Sequence, residues 1–239
     1  MTKHEEIADA LTEEILSRRF RPGERLPSER DLAARFDANR GAVREAMKKI
    51  AQLGLASIQP GGARVEPLQN ASLDVIGHML RRTNIPEPAL VVEVMEVVST
   101  LIKVAADRVL RTATSAQIDT IRELIRPLTH DGLDESAHTV ARMELMRVIM
   151  LTSEHLICQL IARSLFEQLI PNLSDVGRPA TFNAAAFVEH MQALDTAFAT
   201  RNRDAARDAF DALEALNRST IYAALNRSDA TPQVVEVSI

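Results

Sequence analysis

Arg30, Asn39, Arg40 and Arg44 stand at spacings suited to contact with a nucleic acid. In a helix-turn-helix the second helix enters the DNA major groove with its N-terminal residues against base edges. On that reading Asn39, Arg40, Gly41, Ala42 and Arg44 face the bases. An arginine fork matches O6 and N7 of guanine, a pairing that discriminates by roughly 1–3 kcal/mol. Arg30, near the start of the preceding helix, meets phosphate or the groove rim. Gly61 and Gly62 form a hairpin tip whose backbone can approach DNA closely, with Arg64 adding charge. The competing reading is a solvated helical face. Three arginines on the appropriate helices, followed by a Gly-Gly hairpin, favour DNA.

These residues need elements to position them. Ile7, Ala8, Leu11, Ile15 and Leu16 recur at helical spacing over His4–Arg19, and Pro22-Gly23 follows as a break. Ser28 is a natural N-cap for a second helix with Leu32, Ala33 and Phe36 inward. Asp37-Ala38 makes a turn and Asn39 caps a third helix with Val43, Met47 and Ile50 inward, which Gly54 ends. Leu55–Ile58 and Arg64–Glu66 are the expected strands of a wing. Glu66–Asn70 reads as a linker. Beyond it, helices are expected near Ser72–Thr83, Pro86–Arg111, Ser115–Leu128, Ser136–Ser153, Glu154–Leu173, Asn183–Thr200 and Asp204–Asn226, with Pro171 ending or kinking the fifth. The expected fold is mostly α: a winged helix-turn-helix over 1–66, a linker at 67–71, an all-α antiparallel bundle over 72–227 and a frayed tail at 228–239.

The net charge of -5 divides unevenly along the chain. Residues 1–66 hold 12 basic against 11 acidic side chains, and within 18–49 the balance is 10 against 5. The remainder holds 16 against 22, so the positive field is local. The apolar runs fall short of the roughly 18 residues that span a bilayer. The acidic N-terminus does not resemble a signal peptide, and the single Cys158 excludes an internal disulfide. A cytoplasmic protein without membrane association is expected. Cys158, in an apolar run, reads as inert packing, and neither a phosphate loop nor a nucleophile elbow is present.

Pro22-Gly23, Leu26-Pro27-Ser28-Glu29-Arg30 and Arg44-Glu45-Ala46, in that order and followed by a QPGGARV wing, resemble the N-terminal domain of GntR-family transcription regulators over about residues 4–67. The helical remainder resembles, by pattern, the FCD-type effector domain of the FadR subfamily. The resemblance implies that Arg30, Arg40 and Arg44 contact DNA, with Asn39, Gly41 and Ala42 alongside. Gly41 and Ala42 depart from the hydroxyl residues often found there, and Ala42 can touch a thymine methyl.

Most such helical domains bind a metal through one Asp and three His. The matching positions here fall on Arg142, Arg147, His190 and near Ala212, so one ligand of four remains and two are cations. No metal and no cofactor are expected. Arg142 and Arg147, with His190, either receive an anionic effector or pair with acids such as Glu93, Glu96 or Glu144. Met95, Met146 and their neighbours either line an adaptable apolar pocket or are plain core. Val97–Ile102 is closer to the acyl-CoA-responsive branch of the subfamily.

The combined expectation is a non-enzymatic regulator, a repressor that binds a pseudo-palindromic operator on double-stranded DNA as a homodimer. Its release is expected from an effector of the organic-acid or acyl-CoA class. The alternatives are an all-helical enzyme tethered to DNA, a regulator without an effector, and a sequence-neutral architectural binder.

Overall fold

A computed structural model describes residues 2–82, 87–130, 132–173 and 183–228. The fold is mostly helical and divides into two units, Met1–Asn84 and Ile85–Ile239.

The first unit is a winged helix-turn-helix built from α1 (Lys3–Leu16), α2 (Glu29–Arg35), α3 (Arg40–Gln52), β1 (Ala56–Gln59), β2 (Gly62–Val65) and α4 (Val75–Arg81). The apolar stripes of the first three helices meet in one core, where Ile7, Leu11, Leu32, Val43, Ile50 and Leu55 are wholly buried. α1 stops at Leu16, earlier than its periodicity predicts. Arg18 turns into the left-handed region, and Arg19 N–H closes back to Glu14 C=O at 2.9 Å. α2 ends the same way at Asp37, and so does α3 at Gly54.

The wing is tighter than expected. Ala56 pairs with Val65 and Gln59 with Gly62, leaving Pro60 and Gly61 as a two-residue turn. A third extended stretch completes this sheet: Gly23 N–H donates to Val65 C=O, Val65 N–H to Glu24 C=O, and Leu26 N–H to Ala63 C=O, at 2.8–2.9 Å.

The segment expected to be a linker is fastened to this unit. Glu66 N–H donates to Leu55 C=O and Ser72 N–H to Leu53 C=O, both at 2.9 Å, around a 3-10 turn at Leu68–Asn70. Gly54 makes the close approach possible: its φ is +72°, and a Cβ there would lie 2.4 Å from the Asn70 carbonyl oxygen. α4, expected in the helical domain, instead buries Val75 in the core shared by α1 and α3. Two contacts the sequence did not announce, Gly54 against Asn70 and Val75 in the core, thus carry the first unit past residue 66.

The second unit is helical: α5 (Pro88–Thr112), α6 (Ser115–Ile125), α7 (Glu135–Thr152), α8 (Leu156–Leu173), α9 (Ala184–Ala199) and α10 (Arg203–Ser228). Pro88 occupies the first turn of α5, where its missing N–H costs nothing. Pro127 converts the end of α6 into a 3-10 turn over Arg126–Thr129. α8 continues past Pro171 to Leu173 rather than ending there, and α10 runs to Ser228. The rest of the expected tail, 229–239, lies outside the described residues. α5 packs against α7, α8 and α10, and α9 against α6 and α10. Val91, Val109, Ile121, Ile125, Ile149 and Phe198 are fully buried among them. Arg122 grips Asp195 with two 2.9 Å bonds, tying α6 to α9.

Candidate functional site

The start of α3 is organised by Asn39. Its side-chain oxygen accepts the Ala42 N–H at 2.8 Å, so it serves as the N-cap. Gly41 makes room for that cap, since a Cβ there would sit 3.1 Å from the same oxygen. The departure at Gly41 therefore has a local structural use. Ala42 is half-buried against the core, whereas Arg40 and Gly41 are exposed. Arg40 has no carboxylate partner among the described residues.

Arg44 differs. Its Nε lies 2.9 and 3.0 Å from the two carboxylate oxygens of Glu29 on α2. Both side chains are well exposed, so this pair holds Arg44 by no more than about 1 kcal/mol. Arg30 is exposed on α2, with only a loose 3.7 Å approach to Asp31. Arg30, Arg40 and Arg44 thus lie on the two helices of the helix-turn-helix, with Arg40 and Arg44 one turn apart on α3.

At the wing, Arg64 donates to the Gly23 carbonyl at 2.9 Å and is braced along the third strand. Arg25, which the sequence reading overlooked, bridges to Arg64 in that strand. Its guanidinium lies along the turn: Cβ atoms on Gly61 and Gly62 would meet its Nη2 at 3.0 Å and its Nε at 3.4 Å. The wing therefore carries two arginines beside its Gly-Gly turn. The pairing of Arg25 with Arg64 spans 39 positions, and nothing local in sequence announces it.

Behind this surface Glu14 is buried and salt-bridged. Arg19 donates to it at 2.8 Å and Arg35 binds both of its oxygens, one at 2.9 Å. The Arg35 hydrogen bonds, against the opposing effect of burial, hold the Glu14 carboxyl below the usual carboxylate range. This network ties the end of α1 to α2, which packs against α3.

The second unit holds a cavity of about 60 Å³ between α5, α7, α9 and α10. Met95, Met146 and Arg142 line it, as do Met191, Leu213 and Asn217. Arg147 and His190 do not. Arg147 is exposed and pairs with Glu144 one turn earlier at 2.6–2.7 Å, which is the ion-pair alternative for that residue. Met191, next to His190, supplies the wall instead.

Arg142 is the unusual group. One guanidinium nitrogen donates to Asn217 Oδ1 at 2.9 Å, and the group stands over the Phe187 ring at 5.2 Å. Among the described residues no carboxylate pairs with it. Burial pushes its pKa down to about 10, so it stays charged at neutral pH. His138 beside it is pushed down by burial first and by the Arg142 charge second. Among the described residues no cluster of His, Cys, Asp or Glu could hold a metal ion, and no helix is long and apolar enough to cross a membrane. Cys158 is buried, and burial raises its thiol pKa, consistent with packing.

Comparison with known proteins bears on both units. Residues 3–65 match the family described as "Bacterial regulatory proteins, gntR family". The HTH-type transcriptional regulator Mce2R of Mycobacterium tuberculosis is 32% identical over 94 residues, 38% of this chain and 39% of that protein. The HTH-type transcriptional repressor NanR of Citrobacter rodentium is 26% identical over 209 residues, 84% of this chain and 77% of that protein. The chain spans about two fifths of the length of the first curated relatives it matches. A solved structure of Lar, described as controlling expression of the Listeria monocytogenes agr system, shares the fold with a TM-score of 0.53. It is 15% identical and is covered to 97%, against 93% of this chain. The first unit, from α1 through the wing, is thus the part of the chain that matches the helix-turn-helix of bacterial gntR-family regulatory proteins.

Proposed function

We propose that this protein is a transcription regulator, acting as a repressor, that binds a pseudo-palindromic operator as a homodimer. The observation that carries the reading is the exposed, unpaired Arg40 at the Asn39-capped start of α3, flanked by Arg30, Arg44 and a wing bearing Arg25 and Arg64. That surface suits an arginine fork on a guanine edge, with phosphate contacts on either side. The likeness to NanR, a repressor matched along most of its length, supports the repressor assignment. Two-fold symmetry would set two reading heads on two half-sites.

The second unit is proposed as a FadR-type effector domain that takes a small acidic molecule without a metal. Arg142 at the cavity wall supports this. The effector would act by favouring one of two states that differ in operator affinity, with a coupling of typically 1–3 kcal/mol. The reading is regulatory rather than enzymatic: the described lining offers Arg142, Arg218 and two carboxylates already engaged with cations, and no acid–base pair is free among the described residues.

Selection from a randomised duplex pool tests the proposal. Enrichment of an inverted repeat bound at least 10³-fold more tightly than a scrambled duplex is expected. Equal affinity for the two duplexes would overturn it in favour of an architectural binder.

A further inference from the structure

We propose that the cavity of the helical unit receives a short aliphatic monocarboxylate, its carboxylate held directly by Arg142 and its hydrocarbon end lying against methionine and leucine side chains. This rests on the effector reading above and narrows it to one ligand class. The half-buried Arg142 has no carboxylate partner among the described residues, so Asn217 and the face of the Phe187 ring replace only part of the hydration it loses. Arg142 has five N–H donors, of which Asn217 takes one at 2.9 Å. A carboxylate can take two more in the parallel geometry that guanidinium favours. The lowered Arg142 pKa points the same way, because an arriving anion would relieve the penalty of burial.

The neighbouring charges limit the ligand to one carboxylate. Glu214 in the lining is bound by Ser99 at 2.7 Å and Lys103 at 2.9 Å. Glu96 lies 3.6 Å from Arg218. Among the described lining residues Arg142 is therefore the cation whose charge no carboxylate matches. A dicarboxylate would place its second charge near Glu96 and Glu214 with no cation free to meet it. The remaining wall is overwhelmingly apolar, which disfavours a sugar acid whose hydroxyls would lose their hydrogen bonds.

Size limits the ligand further. A cavity of about 60 Å³ holds roughly four to six water-sized groups. That matches an acid of three to five carbons. An acyl-CoA thioester is far larger and brings several phosphate charges to a wall where, among the described residues, Arg142 is the cation that no carboxylate matches.

The test is isothermal titration of the full chain, without DNA and in EDTA, using sodium butyrate as the probe and succinate, glucuronate and octanoyl-CoA as comparisons. Butyrate binding near one per chain, at least tenfold tighter than the other three, is expected. Arg142→Met should abolish that binding while raising the melting temperature of the ligand-free protein, because it removes a half-buried cation that no carboxylate matches among the described residues. Arg142→Lys, which keeps charge but not the fork, should weaken binding at least tenfold. The proposal is overturned if butyrate does not bind, if Arg142→Met binds it equally well, or if binding appears only when zinc or manganese is added. The readout contains no DNA. Butyrate binding without any change in operator affinity would contradict the regulatory reading alone, and operator binding without butyrate binding would contradict this proposal alone.

Discussion

The head and the helical unit each present an arginine without a carboxylate partner among the described residues, under opposite conditions. Arg40 stands in water at the start of α3, whereas Arg142 stands at the wall of an apolar cavity. An exposed cation costs almost nothing, so Arg40 alone says little. It gains meaning from the Asn39 cap, from Arg30 and Arg44 nearby, and from the family match over residues 3–65. A half-buried cation without a matching carboxylate is costlier, and that imbalance at Arg142 is what motivates the proposal of an anionic ligand. A motif carries the proposal for the first site, and an electrostatic imbalance carries it for the second.

If the head is an autonomous unit fastened to its own linker, Gly54→Ala should damage it most. Alanine is strained at φ +72°, and its Cβ would meet the Asn70 carbonyl at 2.4 Å. A loss of about 3 kcal/mol or more is expected, read by denaturant melts and by amide exchange confined to the head. Butyrate binding should survive. A neutral Gly54→Ala would mean that the 66–71 segment is not docked.

Glu14→Gln comes next, with an expected loss of about 1.5–3 kcal/mol. The folded carboxyl titrates below its unfolded value because Arg35 and Arg19 hold it charged. Its contribution is therefore complete above an unfolded pKa of about 4.3 and fades as pH falls through the lower folded value. Melts between pH 6 and pH 3 should show a steeper acid loss for the wild type than for the variant. Parallel curves would deny the network its role.

Smaller effects separate the two arginine classes. Arg30→Ala should weaken all duplexes alike and lower the salt-dependence slope of binding by about one. A change in base preference would move Arg30 from phosphate to the bases. Arg147→Ala should change stability by less than about 1 kcal/mol and leave butyrate binding intact, since Arg147 is an exposed partner of Glu144. Lost binding would return Arg147 to the cavity.

Most of the helices are legible in the sequence because their apolar spacing and caps agree: Ser28 and Asn39 each accept a backbone N–H at a helix start. What escaped depends on long-range packing. Arg25 meets the wing only through a strand pairing, and Leu68–Asn70 resembles a linker until Gly54 receives it. Glu14 lies on the same face as Ile7 and Leu11, but its charge suggests solvent until Arg35 arrives from another helix. Arg142 and Arg147 are five residues apart, which turns them about 140° around a helix. That rotation alone argues against both entering one cavity. Which of the two points inward is settled only by the packing of α7 against α5 and α6.

The central claim is that α3 reads base edges through Arg40. Its direct test is fluorescence anisotropy of wild type and Arg40→Ala on the selected inverted repeat and on a scrambled duplex, at one fixed salt concentration. The expected result is a loss of about 1–3 kcal/mol on the selected repeat, with the scrambled duplex bound nearly as before, so that specificity narrows. Unchanged affinity and unchanged preference in Arg40→Ala would contradict the placement of α3 in the groove.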